Sequence, residues 1–262
     1  MNATTLGNGA SLHIPSVADL QVYQPEAETL ENHFIVGFDS RDVRARPFNL
    51  VRTQVAKRLA SRGARIVGIT SATPDAGKSF FSLNLAASLS RVAEQTVYLV
   101  DLDLRRGSIA TELGMTPKLG VSDFLDGTTD DLGSLGWRVD NSDLAVFPTR
   151  SIRGNSAELM ASERFAQLVE SFRSLPDNAI VLCDMPPAFA NDDTMIAMQK
   201  LDGFFMVIDS GRTTKRQVRD TMEMLQPAPC FGAVMNRYKG ALMDSYGYGY
   251  GYGSKMYDAY YN

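Results

Sequence analysis

The run ARIVGITSATPDAGKSFFS, residues 64–82, has the residue types and spacing best suited to chemistry in this chain. Gly77, Lys78 and Ser79 supply the second half of a G-x-x-x-x-G-K-[ST] loop, in which backbone N–H groups and a helix N-terminus surround phosphate oxygens. In such a loop the lysine neutralises the β/γ phosphates and the hydroxyl ligates Mg²⁺. Ala72 stands at the first glycine position, and Asp75 stands where glycine is usual before the last turn, so the loop is a deviant one. Its flanks fit: Ile66, Val67 and Ile69 predict a short buried strand before it, and a helical pattern starts at Lys78.

Two further acidic sites follow. In TVYLVDLDLRR, a buried-strand signal is followed at its carboxyl end by Asp101, Asp103 and Arg105. Ligands of open α/β sheets collect beyond the carboxyl ends of strands, so acids there can face the phosphate site. AIVLCDMPP predicts another buried strand, ending in Asp184 and stopped by Pro186 and Pro187. An acid so placed in a phosphate-loop protein usually holds the Mg²⁺ shell. A different composition closes the chain: SYGYGYGYGSKMYDAYYN holds Tyr246, Tyr248, Tyr250, Tyr252, Tyr257, Tyr260 and Tyr261, seven of the ten tyrosines. Alternating glycine predicts a flexible 241–262 tail whose tyrosines are not core residues.

The elements that must position these residues are legible from periodicity. PFNLVRTQVAKRLASR places Phe48, Val51, Val55 and Leu59 at helical spacing, with Pro47 in the first turn. The helix after the phosphate loop carries Leu83, Leu85, Ala86 and Leu89. SAELMASERFAQLVESFRS predicts one amphipathic helix with Leu159, Met160, Phe165, Leu168, Val169 and Phe172 inward. LDGFFMVIDSG predicts a fourth strand, TTKRQVRDTMEMLQ a helix with Val218, Met222 and Leu225 inward, and CFGAVMNR a fifth strand ending in Asn236. Strand and helix alternation of this kind specifies an α/β fold with a doubly wound, mostly parallel sheet flanked by helices. Between Gly114 and Val146 the sequence shows only turns, a short helix at VSDFLDG and Trp137. Residues 1–44 lack a sustained period and predict a mostly flexible N-terminal extension, leaving one domain over 45–240.

Composition narrows the function classes. With 262 residues, 44% hydrophobic and 21% charged, the chain can bury one full α/β core. A net charge of −4 argues against a nucleic-acid binder that depends on bulk positive charge. Cys183 and Cys230 lie in apolar runs without metal-ligand spacing, as buried thiols in a reducing compartment would. No run approaches the ~18 apolar residues of a membrane span, and no basic-then-apolar leader opens the sequence. The expected location is cytoplasmic, with any membrane contact made through a partner.

Together, SATPDAGKS, LVDLDLR, VLCDMPP, the order GVSDFLDG then NSAELMASERF then DMPP, and the C-terminal tyrosine cluster resemble the bacterial tyrosine kinases of capsule and exopolysaccharide export. That family is a branch of the MinD and ParA-like P-loop NTPases. The resemblance covers roughly residues 47–236 and continues into the tail. It implies ATP and Mg²⁺ as cofactors, with Lys78 on the β/γ phosphates, Ser79, Asp101 and Asp184 around the metal, and Asp103 positioning or deprotonating the acceptor tyrosine. The nucleotide contacts it implies are Thr73, Pro74, Asp75, Ala76, Gly77, Lys78, Ser79 and Phe80, with Arg105 and Asn236. Its acceptors would be Tyr246, Tyr248, Tyr250, Tyr252, Tyr257, Tyr260 and Tyr261. It also implies a membrane-spanning chain-length regulator as activating partner at the inner face of the membrane, and homo-oligomers through tail insertion.

The family's E-x-x-R-x-x-R subunit-contact pattern is only partly met: Arg52 fits the last arginine, while Arg46 and Asn49 stand where glutamate and arginine would be. Two other readings stay open. A positioning ATPase of the MinD or ParA type would carry a signature lysine where this chain has Thr73, and a MinD-like one would end in an amphipathic membrane helix. A nucleotide-binding pseudokinase would be supported by Asp75 alone.

Overall fold

The computed structural model describes residues 12–239. Eight strands form one sheet: β1 (Gln21–Tyr23), β2 (Ile66–Ser71), β3 (Thr96–Asp101), β4 (Trp137–Val139), β5 (Leu144–Phe147), β6 (Ala179–Asp184), β7 (Gly203–Asp209) and β8 (Cys230–Asn236). Their order is β1-β4-β5-β3-β6-β2-β7-β8, and every pairing is parallel except β4 with β5. The helices are α1 (Ala27–Asn32), α2 (Arg46–Arg62), α3 (Lys78–Leu89), α4 (Ile109–Leu113), α5 (Val121–Leu125), α6 (Ser156–Met160), α7 (Glu163–Arg173), α8 (Asp193–Met198) and α9 (Lys215–Met224). This is the mostly parallel, doubly wound architecture that the strand and helix alternation specifies.

The central strands are buried on both faces, which is why they read as continuous apolar runs. Successive side chains point to opposite faces of a strand. Ile66, Tyr98, Val100, Val181, Cys183, Phe204 and Met206 accordingly join Phe165, Leu168 and Phe172 of α7 in one core layer. Val67, Ile69, Val97, Leu99, Leu182, Phe205 and Val207 join Val55 and Leu59 of α2 and Leu83 and Leu85 of α3 in the other. Gly63 closes α2 in the left-handed region, at φ 60°, where a residue without Cβ is least strained. Among the described residues no helix is long and apolar enough to cross a membrane.

Four expectations are corrected. Residues 12–44 are not a flexible extension: Ile14, Val17 and Leu20 are buried in the first core layer, and β1 pairs with β4. These elements are three to six residues long, too short to leave a period in the sequence. Strands β4 and β5 were invisible for the same reason. The amphipathic helix over 156–173 is two helices, because Ser162 caps the second by accepting a hydrogen bond from the Phe165 N–H at 3.2 Å. On α9 the inward position expected for Met222 is filled by Thr221, which is fully buried, whereas Met222 is 43% exposed.

Candidate active site

All the candidate catalytic groups lie where strands β2, β3 and β6 end. Loop residues Ala72 and Ala76 are fully buried, so the turn is built tightly against the sheet. Asp75 has φ 60° and Gly77 has φ 87°. The first value explains why glycine is usual at that place, and aspartate is among the residues that tolerate it. A Cβ at Gly77 would come within 2.1 Å of Asn236 Nδ2, so only glycine fits there. Helix α3 starts at Lys78, whose side chain is largely buried, and its first turn presents Ser79.

Register sets the acids side by side: Asp184 pairs with Ile69 of β2 on one side and with Asp101 of β3 on the other. Ser79 Oγ donates to Asp184 Oδ2 at 2.6 Å, and Ser82 Oγ donates to Oδ1 at 2.9 Å. Asp101 accepts from the N–H of Asp103 at 3.1 Å and of Ile109 at 3.2 Å, which shapes the loop carrying Asp103 into α4. Asp103 in turn accepts from the Arg106 N–H at 3.0 Å and keeps a small exposed edge. Burial is the main force raising the Asp184 carboxyl, to about 6, against the Lys78 charge and the two serine donors, which pull it down. Burial, then the Asp184 charge, also holds Asp101 well above the ordinary carboxylate range.

Two buried carboxylates and a hydroxyl at adjoining strand ends form a hard-oxygen donor set that fits Mg²⁺. Among the described residues no three acids converge into a ready-made metal cage. Mg²⁺ generally binds through one or two carboxylates plus phosphate oxygens and water, so the set is sufficient.

The structure distributes the other candidates differently. Thr73 accepts from Ser71 Oγ through its carbonyl at 2.7 Å, and Pro74 and Asp75 are exposed on the outer rim. Phe80 packs edge-to-face on Phe48 of α2, with ring centroids 5.7 Å apart. Arg105 is engaged by protein groups: its Nε donates to Ser156 Oγ at 2.6 Å and lies 3.7 Å from the buried Asp193 carboxylate. Asn236 spends both amide atoms on protein, donating to the Ala76 carbonyl at 2.9 Å and accepting from the Arg237 N–H at 2.9 Å. Tyr246 through Tyr261 lie outside the described residues.

Sequence reasoning missed Ser82, Asp209 and Arg237. Ser82 is three residues after Ser79 and so lies on the same helix face, a signal that could have found it. Asp209 ends β7 as Asp184 ends β6.

A phosphate loop on β2 and α3, with acids ending the adjoining strands of a mostly parallel sheet, defines a P-loop NTPase of the ParA and MinD-like class. No protein-family model matches the chain. The succinoglycan biosynthesis transport protein ExoP of Rhizobium meliloti is 30% identical over 204 residues, 75% of this chain and 25% of ExoP. The tyrosine-protein kinase YwqD of Bacillus subtilis is 29% identical over 222 residues, 83% of this chain and 91% of YwqD. The solved kinase domain of the Escherichia coli tyrosine kinase Etk superposes with a TM-score of 0.71 at 25% identity, over 87% of this chain and 93% of that domain. The chain is similar to the bacterial tyrosine kinases and to their kinase domains. It spans about a quarter of the length of the longer relatives, as with ExoP.

Proposed function

We propose that this chain is an ATP-dependent protein tyrosine kinase that phosphorylates the tyrosines of its own 241–262 tail and thereby regulates polymerisation and export of a capsular or extracellular polysaccharide. The observation that carries the reading is the convergence of Ser79, Asp184 and Asp101 at adjacent strand ends beside the phosphate loop. ATP is the phosphoryl donor, and Mg²⁺, held through Ser79, Asp101 and Asp184, would supply charge neutralisation on its phosphates. Lys78, at the start of α3, neutralises the β/γ oxygens. Loop N–H groups and the α3 N-terminus orient the phosphate chain. Asp103, on the loop that Asp101 braces, takes the proton from the acceptor tyrosine as its oxygen forms the new bond to phosphorus and the bond to ADP breaks. A tyrosine hydroxyl ordinarily titrates near pH ~10, so a positioned base is chemically useful.

Asp75 is exposed, so its charge is solvated, which supports the kinase reading over the pseudokinase one. The activating partner in this reading is the cytoplasmic part of a membrane-spanning chain-length regulator, which would hold the kinase at the inner face of the membrane. Homo-oligomers form when one copy's tail enters a neighbour's site.

Incubating the chain with Mg²⁺ and ATP, with and without an activator peptide, followed by phosphotyrosine mapping, tests the proposal. Label is expected within residues 246–261. Bound ATP without phosphotyrosine under both conditions overturns it. Lys78→Met should abolish labelling with the fold intact, because its ammonium serves phosphate rather than core packing. Asp103→Asn should lower turnover far more than ATP affinity; equal loss of both would make Asp103 a metal ligand instead.

A further inference from the structure

Where β8 ends, two consecutive residues hold two consecutive carbonyls of the phosphate loop. Asn236 Nδ2 donates to the Ala76 carbonyl at 2.9 Å. Arg237 Nη1 donates to the Asp75 carbonyl at 2.6 Å and to the Asp209 carboxylate at 2.8 Å. Asp209 is nearly fully buried at the end of β7, with Arg212 a further 3.8 Å neighbour, and its own N–H donates to Thr213 Oγ1 at 3.0 Å. Arg237 itself sits at φ 55°, a left-handed bend that turns its side chain back along the loop. Its side chain is about half exposed, so core packing does not explain its placement.

Peptide geometry gives these contacts a purpose. In a trans peptide the C=O and N–H lie on opposite sides of the plane. The Asp75 carbonyl shares its peptide with the Ala76 N–H, and the Ala76 carbonyl shares its peptide with the Gly77 N–H. Anchoring both carbonyls toward β8 turns both N–H groups the other way. Among the described residues neither N–H donates to a protein acceptor, so both remain available to a phosphate.

We propose that Arg237, braced by Asp209, is a positioning residue for ATP: by holding the Asp75 carbonyl it aims the Ala76 amide at the nucleotide phosphates and stabilises the φ 60° backbone that Asp75 adopts less readily than glycine. The proposal rests on the phosphate-loop reading above and adds to it two residues outside the motif. Arg237 acts through the loop and touches no reacting atom.

The test uses the full chain and Mg²⁺-ATP, reading the ATP dissociation constant by calorimetry and the KM and kcat of autophosphorylation. Arg237→Ala should raise the dissociation constant and KM roughly tenfold, the value of one charge-assisted hydrogen bond, while saturated turnover falls much less. Arg237→Lys, with a shorter reach but the same charge, should fall between that variant and the parent. The decisive arm is a cycle with Asp75→Gly: with glycine at φ 60° the loop needs less support, so the loss from Arg237→Ala should shrink to about threefold or below. A merely structural arginine would lower the melting temperature and both kinetic constants without regard to residue 75. If Arg237→Ala fails to fold, Arg237→Lys and Asp209→Asn report the same split between KM and kcat.

Parent-like KM in a folded Arg237→Ala, or an equal loss with and without Asp75→Gly, overturns the clamp. If the parent binds ATP and Lys78→Met does not, those outcomes sink the clamp alone. A folded parent that binds no ATP sinks the phosphate-loop reading and the clamp with it.

Discussion

Asp184 sets site chemistry against fold stability. Its carboxylate is fully buried, and its pKa, pushed up to about 6, exceeds the value near ~3.9 expected of an unfolded chain. Between those two values the folded form retains a proton that the unfolded form has lost, so stability falls as pH rises through the window and stays low above it. Nucleotide-free protein should therefore melt several degrees lower at about pH 7.5 than at about pH 4.5, a loss on the order of 2 kcal/mol from this residue. Asp184→Asn, which cannot ionise, should flatten much of that slope, with a remainder from Asp101, which is raised in the same direction. The same substitution should abolish phosphotyrosine formation. Parallel melting curves for parent and variant across this range would refute the assignment of strain to Asp184. Added Mg²⁺ and ATP should recover stability in the parent above about pH 6 and not in the variant.

At the scale of elements, α3 works on both sides. Its first five residues carry Lys78, Ser79 and Ser82 to the site, while Asn84, fully buried two residues further on, ties down the chain before α2. Asn84 Oδ1 accepts from the N–H of Val36 at 2.9 Å and of Gly37 at 3.0 Å, and its Nδ2 donates to the carbonyls of Phe34 and Phe80. Gly37 is required by this approach, since a Cβ there would lie 2.3 Å from the Asn84 carbonyl oxygen. Asn84→Ala would strand two buried N–H groups and should cost about 3 kcal/mol of stability. Proteolysis should then begin within residues 33–45 well below the global unfolding midpoint. Cleavage no faster than in the parent would show that the segment is held by its apolar contacts instead.

For the whole molecule, the open matter is how copies associate. In α2, Asn49 and Arg52 of the subunit-contact pattern are engaged inside the chain: Asn49 Oδ1 accepts from Ser88 Oγ at 3.2 Å and from Arg91, and Arg52 donates to the Ser88 carbonyl at 3.1 Å. Association should therefore depend more on tail insertion. Each phosphate adds about −1.5 to −2 charges, so a multiply phosphorylated tail should be repelled by its own neighbours and by a site carrying Asp103. Sedimentation should show the dephosphorylated chain self-associating and the phosphorylated chain, or one truncated after Met243, shifting to monomer. Equal masses for all three across a concentration series would remove the tail as the switch.

The sequence by itself determined the sheet's parallel core, because fully buried strands leave unbroken apolar runs. It also determined the phosphate loop and the acids at strand ends, because close backbone approach and metal chemistry demand particular residue types at short spacing. The packing of residues 12–44 and the β4–β5 pair depended on tertiary structure, since three-residue strands gain their stability from neighbours and leave no period. So did the partners of Arg105, Asn236 and Arg237: a side chain's reach is a sequence property, but its target is set by which distant strand ends lie beside it. Ser156 is 51 residues from Arg105, and Asp75 is 162 residues from Arg237. No local pattern encodes such separations; the register of the sheet does.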